Sequence, residues 1–224
     1  MAIDCEEGIL ERTIPIENLS NFAQEWIQKK PSSKIVTCGT AYQSLAITQL
    51  TKLKIPKEFE AFFHAVGMAE ECGELAGVVK EDPSNNASSI EITAEKREEV
   101  IGEAGDLCWY LALWCSCHGI DFGLCLTRSS QRAENNPDEK FRLRSFWEVH
   151  ETLGELLGRQ KRMGAGKTFE QSMLEGLVTK LLRVLHDFLI GHYGCRLGEV
   201  LGKNQVKIED RQKRNVIMGE GNHR

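Results

Sequence analysis

Long apolar runs are missing from this 224-residue chain. None approaches the roughly 18 consecutive apolar residues of a membrane-spanning helix, so no membrane partner is expected. The opening stretch, MAIDCEEGILER, is acidic where a secretory signal is basic, which points to a cytoplasmic protein. Strand-type alternation of apolar and polar residues is also missing, and only five prolines interrupt the chain, so the pattern supports helix throughout. Excess positive charge is lacking. A net charge of −5 argues against sequence-independent nucleic-acid binding, which needs a basic surface to neutralise phosphates. The eight cysteines, at 5, 38, 72, 108, 115, 117, 125 and 195, include no CxxC pair. Cys115 and Cys117 have one residue between them, which does not match zinc spacing, and several others fall in apolar helical runs where buried thiols belong.

What is there, 41% hydrophobic and 27% charged residues, is the balance of a soluble globular protein. Ile16, Leu19, Phe22, Ala23, Trp26 and Ile27 recur at three- and four-residue steps and predict a helix over 15–30, stopping before Pro31. A second helix is predicted over about 40–54, carrying Tyr42, Leu45, Ala46 and Leu53 and ending before Pro56. A third runs from Lys57 to Glu81, closed by the turn-forming DPSNNASS, and a fourth from Thr93 to His118.

After Gly119 the text starts again. EECGELAG (70–77) resembles ETLGELLG (151–158), and CHGIDFGLCL (117–126) resembles HYGCRLGEVL (192–201), at offsets of 81 and 75. The short MGAGK (163–167) in the second copy replaces the longer loop after Glu81 and absorbs the difference. The chain therefore divides into N-terminal helices with a first hairpin (1–133), a degenerate second hairpin (134–202), and a C-terminal tail (203–224). ENNPDEK (134–140) could join two separate domains, but a lone hairpin buries little, so one all-α bundle with the hairpins docked is the expected arrangement. The tail is basic, with six Lys/Arg against three acids, and invites a small phosphate ligand.

Glu71 and Glu74 are three apart on the third helix, and Glu103 and Asp106 three apart on the fourth, so each pair projects from one face. With the helices antiparallel, four carboxylates meet inside a bundle. Their repulsion is resolved by a hard divalent cation, and all-oxygen ligands select Mg²⁺ or Mn²⁺. Surface acids are the alternative, but Glu103 and Asp106 sit in VIGEAGDLCWYLALWC, apolar nearly all round and hence buried. Gly73 and Gly105, each beside a carboxylate, allow a backbone or ligand to come close. A ferritin-like di-iron bundle needs Glu-x-x-His, and neither slot holds histidine.

Glu-x-x-Glu followed about thirty residues later by Glu-x-x-Asp resembles the MazG-like all-alpha nucleoside triphosphate pyrophosphohydrolases. AYQSLAITQL (41–50), HAVGMAEECGELAGVVKE (64–81), EEVIGEAGDLCWYLALWC (98–115) and the tail (204–224) carry the resemblance in the family's order. It implies cleavage between the α- and β-phosphates of a nucleoside triphosphate, metal-ligand roles for Glu71, Glu74, Glu103 and Asp106, and nucleotide contacts in the tail, Asn204 included. It also implies an assembly of several chains, here a homodimer of tandem units. The tail ends Gly221, Asn222, His223, Arg224 where the family has Gly-Asp-x-Arg, and the second copy has Thr152, Val178 and Leu181 at three of the four carboxylate positions, keeping only Glu155. The second half is therefore expected to be catalytically silent.

Around the cage, Glu99 is a candidate further ligand or base, with Glu70 and Glu74 as alternative bases. Lys207 and Arg211, one turn apart, and Arg224 are candidate phosphate clamps. Lys80 is either a further clamp or solvated decoration, and Arg159, Lys161 and Arg162 are more distant sources of positive charge. His64, two turns before Glu71, and Tyr110, one turn after Asp106, point to the rim as nucleobase contacts or pack as core; Met68 could line the same slot. Trp109 and Trp114 read as core. Two other functions fit the residues: a nucleotide-binding regulator without turnover, and a pyrophosphohydrolase of a related nucleotide such as phosphoribosyl-ATP.

Overall fold

The computed structural model describes residues 33–50, 55–81, 93–131 and 145–214, and every regular element among them is α-helical. The helix expected over 15–30, DPSNNASS, ENNPDEK and the chain beyond Arg214 lie outside the described residues. The seven described helices are α1 (Ser33–Leu50), α2 (Lys57–Glu81), α3 (Ala94–Cys117), α4 (Phe122–Gln131), α5 (Phe146–Gly164), α6 (Gln171–Tyr193) and α7 (Leu197–Lys213). None of them is long and apolar enough to cross a membrane.

Local chemistry sets the helix ends. Pro56 precedes α2, its carbonyl accepting from Phe59 N at 2.8 Å, and Glu58 and Glu60 place negative charge on the positive end of the helix dipole. Thr93 caps α3 by accepting from Lys96 N at 3.1 Å. Gly119, at φ +66°, turns the chain after α3, and Asp121 accepts from Leu124 N at 2.9 Å to open α4. Gly194, at φ +59°, does for α6 what Gly119 does for α3. Helix α1 begins seven residues before the expected start at 40 and runs through Ile35, Val36, Thr37 and Gly39, residues of low helix propensity that obscure this start in the sequence.

α2 and α3 pack along their length as an antiparallel hairpin, and so do α5 and α6, where Glu155 faces Lys180 and Phe146 faces Phe188. The two hairpins meet through α2 and α5. The helix that follows each hairpin then crosses over: α4 packs on α1 and on α6, and α7 mainly on α3. Helix α7 runs alongside α3, tied by the paired Arg97–Glu199 hydrogen bonds at 2.8 and 2.7 Å. The tail boundary expected at 202/203 falls inside α7, so the basic segment starts as helix. α1 lies across α3 and α4, where Gln43 accepts from Phe122 N at 3.0 Å and donates to Ile120 O at 2.9 Å. One apolar core fills the spaces between these helices, and Cys72, Cys108, Cys115, Cys125 and Cys195 are buried in it while Cys117 is exposed.

Candidate metal centre

The α2–α3 hairpin brings Glu71, Glu74 and Glu103 together, with one carboxylate oxygen from each lying within 4.8 Å of the others. Glu103 is buried, Glu71 half-buried and Glu74 exposed. Burial first, then the charges of Asp106, Glu74 and Glu103, push the Glu71 carboxyl from the usual 4.5 to about 8, with Lys207 offsetting part of the rise. Burial, then Glu74 and Asp106, push Glu103 to about 7. Three carboxylates that crowd one another, with Glu71 and Glu103 holding protons near neutral pH, are a donor set for a hard divalent cation, which would replace those protons. The three residues can hold a metal ion.

Asp106 stands beside this group. Three residues along a helix turn through about 300°, so Asp106 lies about 60° round from Glu103, which faces α2, and is turned towards α7. There Asn204 Nδ2 donates to Asp106 Oδ1 at 2.7 Å, and the Lys207 ammonium pairs with Oδ2. The expected cage of four is three converging carboxylates with a neighbour whose charge still acts on Glu71 and Glu103. Tyr42 Oη donates to Asn204 Oδ1 at 2.7 Å, a contact between residues 162 apart that no sequence pattern announces.

Close approach of α7 depends on Gly105. A Cβ there would lie 2.8 Å from Asn204 Cβ and 2.9 Å from Asn204 Nδ2, and Asn204 is buried. Gly73 differs: a Cβ there meets nothing within 4 Å, so no described neighbour requires it to be glycine. Gly105→Ala should therefore cost about 1–3 kcal/mol by overpacking. Gly73→Ala should be neutral or stabilise by up to about 1 kcal/mol through helix propensity. Thermal melts of the two variants check the pair, and equal melting temperatures would contradict the packing given to Gly105.

The structure separates the remaining candidates. His64 and Tyr110 are neighbours, their ring centroids 6.3 Å apart, with Phe63 at 5.6 Å from His64. His64 is not on the rim as expected. It is fully buried with neither ring nitrogen hydrogen-bonded to a described residue, and burial lowers its pKa to about 4. The α2 face that presents Glu71 to the cage is covered one turn earlier by Tyr110, whose ring occupies the space a Cβ at Gly67 would need. Tyr110 is half-buried. Burial and the charges of Glu71, Glu70 and Asp106 push its phenol to about 12, while Arg211 offsets part, so Arg211 and Tyr110 share the neighbourhood of the cage. Glu99 pairs with Lys96 at 2.7 Å instead of joining the three carboxylates. Lys80 is exposed in the last turn of α2, six residues and about 240° round from Glu74. Arg224, with Gly221, Asn222 and His223, lies outside the described residues. Met68 and Trp114 are core, Trp114 Nε1 donating to Gln160 at 2.8 Å; Trp109 is half-buried against Tyr42.

In the second hairpin, Thr152, Val178 and Leu181 are buried, and Thr152 returns its hydroxyl to Glu148 O at 2.8 Å. Glu155 turns outward to Lys180 at 3.2 Å and Arg159 at 3.6 Å, and Arg159 covers Phe169. The place of the cage is occupied by apolar core. No family model, curated protein or solved structure matches this chain.

Proposed function

We propose that this chain is a nucleoside triphosphate pyrophosphohydrolase of the MazG-like all-alpha type, using Mg²⁺ or Mn²⁺ held by Glu71, Glu74, Glu103 and Asp106. One observation carries the reading: three carboxylates from two antiparallel helices converge where Lys207 reaches the fourth. A divalent ion bound there supplies charge neutralisation at the phosphate oxygens and a water of lowered pKa.

The chain's own groups supply the rest. Lys207 and Arg211, on successive turns of α7, bring positive charge to the phosphates, Lys207 by leaving Asp106. Tyr110 offers an aromatic edge beside them. Glu74, the exposed member of the group, is the carboxylate assigned to take the proton of the attacking water. Water adds to phosphorus, the α–β bridging bond breaks, and the monophosphate and pyrophosphate leave. His64, buried and hydrogen-bonded to none of the described residues, is better placed to shape the wall behind Tyr110 than to meet a base directly. A cytoplasmic homodimer of tandem units remains the assembly we favour.

The test is product analysis. With Mg²⁺, chromatography of each of the (d)NTPs after incubation should show monophosphate and pyrophosphate in equal amounts from at least one of them. Release of orthophosphate and diphosphate, or binding without turnover, would replace this reading with a phosphatase or a nucleotide-binding regulator.

A further inference from the structure

Two buried polar side chains lie next to the centre without belonging to the carboxylate group. Tyr42, on α1, is 1% exposed and Asn204, on α7, is 3% exposed. Tyr42 Oη donates to Asn204 Oδ1 at 2.7 Å, and Asn204 Nδ2 donates to Asp106 Oδ1 at 2.7 Å. A hydroxyl has one proton to give. The other acceptor within reach, Gly105 O, is 3.4 Å away, so the shorter contact takes it.

That proton fixes the amide. Turned over, Asn204 would set its oxygen against a carboxylate oxygen at hydrogen-bond distance, and the phenol would lose its near acceptor. Asn204 therefore has a fixed polarity, with its acceptor end towards α1 and its donor end towards α3. The phenol is itself held, its ring lying between Trp109 at 6.1 Å and Phe122 at 5.9 Å. Three helices thus converge on one oxygen of Asp106, and the other oxygen, Oδ2, faces Lys207.

We infer that Tyr42 is a positioning residue for the metal centre: acting through Asn204, it pins Asp106 Oδ1 and leaves Oδ2 as the oxygen that exchanges between Lys207 and a bound cation. Without the pin, the carboxylate is free to rotate and to meet Lys207 with both oxygens, and it competes less well for a cation. The inference rests on reading Glu71, Glu74, Glu103 and Asp106 as a cation site.

Mn²⁺ binding to the full chain, followed by the paramagnetic resonance signal of free Mn²⁺ at neutral pH, tests it without recourse to activity. Tyr42→Phe keeps the ring and should weaken Mn²⁺ binding about 3–10-fold, less than the roughly 10–100-fold of a group that orients a ligand directly, since it acts at one remove. In an Asp106→Asn background the same substitution should change affinity by less than about 2-fold. A parent chain that binds no Mn²⁺ overturns the reading of the site, and this inference with it. Parent binding that Tyr42→Phe leaves unchanged overturns only the role of Tyr42, as does a loss of equal size in the Asp106→Asn background. If Tyr42→Phe alone does not fold, because it strands Asn204 Oδ1, Tyr42→Phe with Asn204→Leu is compared with Asn204→Leu. Equal affinities then support the relay, and a further loss overturns it.

Discussion

Glu74→Gln protein should release pyrophosphate at least about 100-fold more slowly than the parent chain while melting at the same temperature or higher. Both halves follow from where Glu74 sits. Its carboxylate completes the converging three and is the exposed member, so the amide removes a charged ligand and a proton acceptor without opening a cavity. It also removes a negative charge that raises both Glu71 and Glu103, which relieves the ion-free fold. Glu155→Gln is the matched control. It occupies the same place in the second copy but pairs outward with Lys180 and Arg159, above a core of Val178 and Leu181. It should leave turnover unchanged. Turnover of the Glu74→Gln protein within about 3-fold of the parent would remove Glu74 from the site, and a fall in melting temperature would show that the acid was structural.

The parts of this arrangement that reside in neighbouring residues are legible in the sequence. Pro56 with the acids after it, Thr93 as a cap, and Gly119 as a stop fix α2 and α3 to within a residue of their expected ends, because each signal acts through hydrogen bonds no more than a turn away. Two long helices joined by a connection of about a dozen residues must return antiparallel. Helix geometry then brings the Glu71/Glu74 pair opposite the Glu103/Asp106 pair. The apolar wrapping of Glu103 predicts its burial in the same way.

Residues whose places depend on a third helix are another matter. Asp106 and Glu103 share a spacing but not a direction, and which of them faces α2 is decided by α7 docking on Gly105. His64 lies on the expected face of α2 but beneath Tyr110 instead of at an edge, since a heptad step gives angle and height and says nothing of what covers the side chain. The Tyr42–Asn204–Asp106 chain joins α1, α7 and α3. Its members read singly as a core aromatic, a tail amide and an acid, and only packing makes them one unit. Lys80 and Glu99 are near the cage in sequence but turned or paired elsewhere, because angular position around a helix outweighs proximity along it.

In protein freed of divalent ions the melting temperature should fall as pH rises from 6.5 to 8, and with millimolar Mn²⁺ it should rise over the same interval. Glu71 and Glu103 keep their protons in the fold up to about 8 and 7, whereas the unfolded chain releases them near the usual 4.5. The folded state therefore binds more protons between those values, and stability present at low pH is lost as pH climbs through the window. His64 works in the opposite sense: its folded value near 4 lies below the usual 6.5, so its contribution is lost as pH falls from 6.5 towards 4. Above 6.5 the unfolded chain sheds the rest of its His64 proton, which opposes the fall by only about 0.4 kcal/mol, and stopping at 8 keeps most of the thiols, ordinarily near 9.0, out of the comparison. Solvent access at Glu71 reduces the full effect, leaving about 1–2 kcal/mol, or about 2–8 °C, over the interval. A cation that binds the deprotonated carboxylates in the folded chain reverses the slope, because its affinity grows as the protons leave. Glu71→Gln should flatten the ion-free slope. Parallel slopes with and without Mn²⁺ would mean that the converging carboxylates titrate together but take no ion.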